Sequence, residues 1–123
     1  MFLTIFAGIP CHLQIIIETA QRAYAPGSTV SVTVRGLNIP DTAAVTATLC
    51  KKDGASWAEP RQVSQAILKE AGAAAAESWT FRAATEEEAA GVNASYMVLV
   101  TVTDGGVTVR EVKYYFLTVQ SGS

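Results

Sequence analysis

The chain has 123 residues, half of them apolar and 16% charged. That length gives one domain able to bury roughly two-thirds of its unfolded surface, and the composition excludes an intrinsically disordered chain. Nine basic and eleven acidic residues leave a net charge of −2, with Lys51-Lys52 as the densest basic pair, which argues against a nucleic-acid or anionic-membrane partner.

Residues 1–12 read as an apolar arm, in which Phe2-Leu3-Thr4-Ile5-Phe6 has β character. No Lys or Arg precedes Cys11, the apolar run is short, and Pro10 spoils a lipoprotein-type cleavage site, so no export signal is expected. No apolar run approaches the roughly 20 residues that a membrane helix needs. The arm has two readings: Phe2, Leu3, Ile5 and Phe6 add a strand to a neighbouring subunit, or the arm pairs within its own sandwich.

Leu13 to Thr19 is a first strand, apolar enough to be buried on both faces. Tyr24-Ala25-Pro26-Gly27 is a turn, with Pro presetting φ and Gly free to take a positive value. Thr29 to Arg35 alternates cleanly, placing Val30, Val32 and Val34 on a core and the hydroxyls outside. After a loop from Gly36 to Asp41, Ala44 to Cys50 is the next strand, with Cys50 on the parity of Thr46 and Thr48, away from the main core. Cys11 and Cys50 allow one disulfide and define no metal motif. A bridge would require the arm to cross that strand, and two unpaired thiols in a reducing compartment are expected instead.

A loop from Ala55 to Pro60 is expected to carry Trp57, with Arg61 beside it. Gln62 to Leu68 and Glu77 to Arg82 are further strands, the second with Trp79 and Phe81 on one face. Thr85 to Gly91 matches a capping box, Thr85 as N-cap and Glu88 three residues on, so residues 85–91 are expected to form one short helical turn. Ser95 to Val119 is an antiparallel hairpin around Asp104-Gly105-Gly106. Tyr96, Val98, Val100 and Val102 share a face. In the last strand Val107, Val109, Tyr115, Leu117 and Val119 share parity, with Glu111 and Lys113 interrupting. That break implies a bulge or a departure from the sheet, and charges there also discourage unwanted strand pairing.

About seven strands with frequent turn signals describe an all-β, Ig-like antiparallel sandwich. It would span residues 13–119, between the arm at 1–12 and a tail at 120–123. Tyr96 stands where a tyrosine corner would, or is a core aromatic.

Chemistry is sparse. His12 is the single histidine, and its neighbour Cys11 points to the opposite face in any strand, a poor geometry for a dyad. Asp53 and Asp104 precede glycines in turns, where side-chain to backbone bonding accounts for them. Glu86, Glu87 and Glu88 lack a supporting His or Asp cluster for a metal. Asn93-Ala94-Ser95 matches a glycosylation triplet, which has no bearing without export. No catalytic, metal or cofactor-binding residue emerges, no cofactor is expected, and the chain is expected not to be an enzyme. Trp57 and Arg61 are of types common at interface centres, so Trp57 either anchors a partner or folds back over the sandwich end.

The succession of PGSTVSVTV, DTAAVTATLCKKDG, SWTFRAAT and GVNASYMVLVTVTDGG, closed by a strand ending at Val119, resembles Ig-like domains of tailed-phage structural proteins. It looks most like N-terminal domains of phage baseplate upper proteins and related virion modules, over about Tyr24 to Val119. The resemblance rests on strand-and-turn rhythm. It implies a non-catalytic virion component, for capsid decoration or the tail and baseplate, assembled in the host cytoplasm. Its partners would be other virion proteins and copies of itself, with neither nucleic acid nor membrane. The interface candidates are Phe2, Leu3, Ile5, Phe6, Trp57 and Arg61. Bacterial surface modules share the rhythm, so an exported Ig-like adhesin or carbohydrate-binding module at the cell surface is the alternative.

Overall fold

The computed structural model describes residues 13–53, 56–74, 76–86 and 94–119. Eight strands follow one another: β1 (Gln14–Thr19), β2 (Ala23–Tyr24), β3 (Thr29–Leu37), β4 (Ala43–Asp53), β5 (Ser56–Lys69), β6 (Ser78–Ala84), β7 (Ala94–Asp104) and β8 (Val107–Thr118). They form two sheets, ordered β1-β3-β6 and β2-β8-β7-β4-β5. All pairings are antiparallel except the short β2–β8 contact, which is parallel. This is the Ig-like sandwich that the turn rhythm predicts, with eight strands in place of about seven.

Alternation decides what each strand buries. Val30, Val32 and Val34 on β3, with Phe81 and Ala83 on β6, meet Val45, Ala47 and Leu49 on β4 and Tyr96, Val98, Val100 and Val102 on β7, in one core between the sheets. The β1 expectation is corrected. Ile15 and Ile17 enter the core, but Ile16 points outward and is 36% exposed, because an outer strand of a sandwich has only one face to bury. Gly36 lets β3 approach its neighbours, since a Cβ there would lie 2.9 Å from both Ile39 and the Trp79 ring.

Two further expectations change. The segment expected as a loop around Trp57 is the start of β5, which pairs with β4 through three register shifts. Those bulges let Pro60 be tolerated, because β5 is an edge strand and Pro lacks a donor. No helix occurs among the described residues. The helical turn expected over residues 85–91 lies outside the described residues except at Thr85 and Glu86. Thr85 itself is buried, and its N–H and hydroxyl both donate to the Ser28 carbonyl, tying the end of β6 to the start of β3.

The second change concerns β8. Glu111 and Lys113 interrupt nothing: from Glu111 to Leu117 the odd positions face outward, while Val112, Tyr114, Phe116 and Thr118 face the core side. The strand stays paired with β7 through Thr118, and its one register shift lies near Val109, where Val102 pairs with Arg110 and Thr103 with Thr108. The turn that starts it has Gly105 and Gly106 at φ of 63° and 82°, as a two-residue hairpin of the primed type requires.

Tyr96 is a tyrosine corner as well as a core aromatic. It is fully buried, stacks on Phe116 at 5.4 Å between centroids, and its hydroxyl accepts the Glu86 N–H at 3.0 Å. Among the described residues no helix is long and apolar enough to cross a membrane.

Candidate interaction surface

The five-stranded sheet has two margins, β5 on one side and β8 on the other, with β2 closing only the far end of β8. There Leu117 donates its N–H to the Arg22 carbonyl and Val119 donates to the Tyr24 carbonyl. From Val107 to Phe116 no other described strand lies on the outer side of β8. Side chains along this margin are apolar and wet: Val107 is 62% exposed, Val109 48%, Tyr115 44% and Leu117 47%. Exposed apolar residues gathered on one margin are what an interaction surface presents, whereas scattered ones need no explanation.

Arg22 organises the end of this margin. Its Nε donates to the Tyr114 hydroxyl at 3.0 Å, and its guanidinium carbon lies 4.7 Å from the centre of the Tyr114 ring. The Thr19 hydroxyl donates to the Gln21 carbonyl, so its contact with Tyr114 at 2.7 Å uses the Tyr114 proton. The relay Arg22–Tyr114–Thr19 thus joins β8 to the end of β1, across the two sheets. Beside it, Arg22, Ser95, Tyr115, Phe116 and Leu117 line an open depression of about 340 Å³. Nothing local in the sequence announced this group, because Arg22 and Tyr114 meet across nearly the whole chain.

The sequence-predicted residues divide. Phe2, Leu3, Ile5 and Phe6 lie outside the described residues, as do His12 and Cys11. Trp57 is in β5, and its side chain also lies outside them. Arg61 is engaged within the chain. Both of its terminal nitrogens donate to the Glu86 carboxylate at 2.5 Å, and Lys51 Nζ stands 3.5 Å from the same group. Arg61 sits opposite Lys51 across the β4–β5 ladder, so the carboxylate between them relieves their mutual repulsion. The Arg61 hydrogen bonds, seconded by Lys51, hold the Glu86 carboxyl below the usual carboxylate range. Glu86 therefore clamps the loop after β6 onto the β4–β5 edge. Trp57 and Arg61 do not form a described pair.

Cys50 follows the outward parity expected of it yet is buried, and it carries a free thiol. Burial pushes that thiol up from its ordinary pKa, away from the reactive thiolate. Among the described residues no three His, Cys, Asp or Glu side chains gather where they could hold a metal ion.

No family model and no curated protein matches the chain. Solved structures do share its fold. A superoxide reductase (neelaredoxin) from Ignicoccus hospitalis, in a single-substitution form, matches with a TM-score of 0.57 at 12% identity, over 89% of this chain and 83% of its own. A second structure of that reductase gives 0.56 at 12% identity, over 87% and 82%. A β-glucosidase from Listeria innocua, in complex with gluconolactone, gives 0.44 at 15% identity over 87% of this chain and 16% of its own. The expectation that the chain is not an enzyme is corrected by the first two. A chain named as a reductase is built on this sandwich over most of its length, so the architecture does not exclude catalysis. At this identity the fold is what the two proteins share.

Proposed function

We propose that the chain is a structural component of a tailed-phage particle, in capsid decoration or in the tail and baseplate, joined to its neighbours through the β8 margin. Its partners are other virion proteins and further copies of itself, and the arm at 1–12 is a second contact. The observation that carries this reading is the open side of β8, where Val107, Val109 and Leu117 stand 62%, 48% and 47% exposed on a strand that, among the described residues, is paired on one side only from Val107 to Phe116. An open, partly apolar strand margin is a liability in an isolated monomer and an asset in an assembly, where a neighbouring chain covers it.

A second reading rests on the depression beside Arg22, whose mix of aromatic surface and hydrogen-bond donors suits a carbohydrate on an exported surface module. One measurement separates the two. Mass spectrometry of purified, nuclease-treated particles should recover the chain at many copies per particle. Its absence from particles, with recovery in the cell-surface or secreted fraction, would favour the carbohydrate-binding module instead.

A further inference from the structure

The β8 margin carries two charges of opposite sign, Glu111 and Lys113, adjacent on the outward face. Both are exposed, and among the described residues neither makes an ion pair or hydrogen bond. Leu117 turns its N–H away from β7, toward Arg22. Backbone direction alternates along a regular strand, and no register shift falls between Arg110 and Thr118. Glu111 and Lys113 therefore also turn their N–H and C=O groups to the open side.

The geometry points to a second copy of this chain as the occupant of that margin, its β8 running antiparallel to the first across a two-fold axis at Val112. This rests on the reading of the β8 margin as an assembly surface, and adds the partner and the register. With Val112 facing Val112 of the other copy, Glu111 lies opposite Lys113 and Lys113 opposite Glu111. Both are hydrogen-bonding positions, so each pair exchanges two backbone bonds while its side chains meet on one face. The neighbouring registers fail. Centring the axis on Glu111 sets two carboxylates face to face, and centring it on Lys113 does the same with two ammonium groups. Charges on an edge strand usually forbid pairing altogether. An opposite pair two residues apart instead forbids the flanking alignments and favours the one between them. β2 bounds the ladder at Leu117 and the register shift near Val109 bounds it at the other end, which leaves Arg110 to Tyr114 as its span. The resulting contact is isologous and closed, the usual form for a homodimer.

Sedimentation equilibrium of the full chain at low ionic strength tests this with four proteins: wild type, E111K, K113E and the double variant E111K/K113E. Both positions are exposed, and circular dichroism with thermal melting checks that each variant folds. The wild type should dimerise. Each single reversal places like charges opposite one another twice over and should weaken the dimer about tenfold or more, while the double variant restores it to near the wild-type value. Single reversals without effect, or a double variant as weak as the singles, would overturn the register. A wild type that stays monomeric at millimolar concentration overturns the self-pairing. If that monomer is nevertheless recovered from particles, the particle reading survives; if it is absent there too, both fall.

Discussion

Glu86 shows how much one carboxylate does at the open end of the sandwich. Its side chain gathers Arg61 and Lys51, while its backbone N–H reaches the Tyr96 hydroxyl. Because folding lowers its pKa, the stabilisation it gives is complete above the unfolded carboxylate value, near 4.3 by the model-compound scale, and fades as pH falls through the lower folded value. Glu86→Gln should therefore lower the melting temperature at neutral pH and flatten its decline between about pH 5 and 3. A variant melting curve with the same acid slope as wild type would remove Glu86 from the account of acid sensitivity. None of this was legible in the sequence. The run Glu86-Glu87-Glu88 carries a pattern that serves a helix start, and only the folded position of Arg61 shows that the first of the three acids has another use.

Among elements, β7 is anchored twice. It pairs with β4 and β8 on either side, and Tyr96 hooks its first turn of residues to the loop that precedes it. Tyr96→Phe keeps the ring stacked on Phe116 and removes the hydroxyl, so it tests that hook. It should cost about 1–2 kcal/mol, read as a lower urea midpoint at unchanged denaturant slope. Tyr96 was visible as a candidate because its place at the start of a long alternating strand is a sequence property. The strands themselves were legible for the same reason: the β3 and β7 valines alternate without a break. β8 was not read correctly, because parity alone does not say which face is inside. Its odd positions hold at least as many large apolar side chains as its even ones, and only pairing with β7 assigns Phe116 to the core. Trp57 was misplaced by the neighbouring Pro60 and Gly54, turn signals that an edge strand with bulges can absorb.

At the scale of the molecule, the two sheets share one core and should unfold as one. Phe81 belongs to the three-stranded sheet, is 3% exposed, and joins the cluster that includes the β4 and β7 side chains. Phe81→Ala should cost about 3–5 kcal/mol. Near-ultraviolet signals from the tyrosines of the five-stranded sheet should be lost together with far-ultraviolet signals, in a single transition at a lower temperature. Separate transitions for the two sheets would contradict a common core.

The short parallel contact between β2 and β8 has a mechanical consequence. Since both strands run the same way, tension that draws β2 back toward its start and β8 forward toward its end slides one past the other. The bonds from Leu117 to Arg22 and from Val119 to Tyr24 lie across that direction and take the load together. A hairpin such as β7–β8, pulled open from its free ends, would instead surrender its bonds one after another. Small as it is, β2 makes the sandwich harder to stretch along its chain than its two residues would suggest.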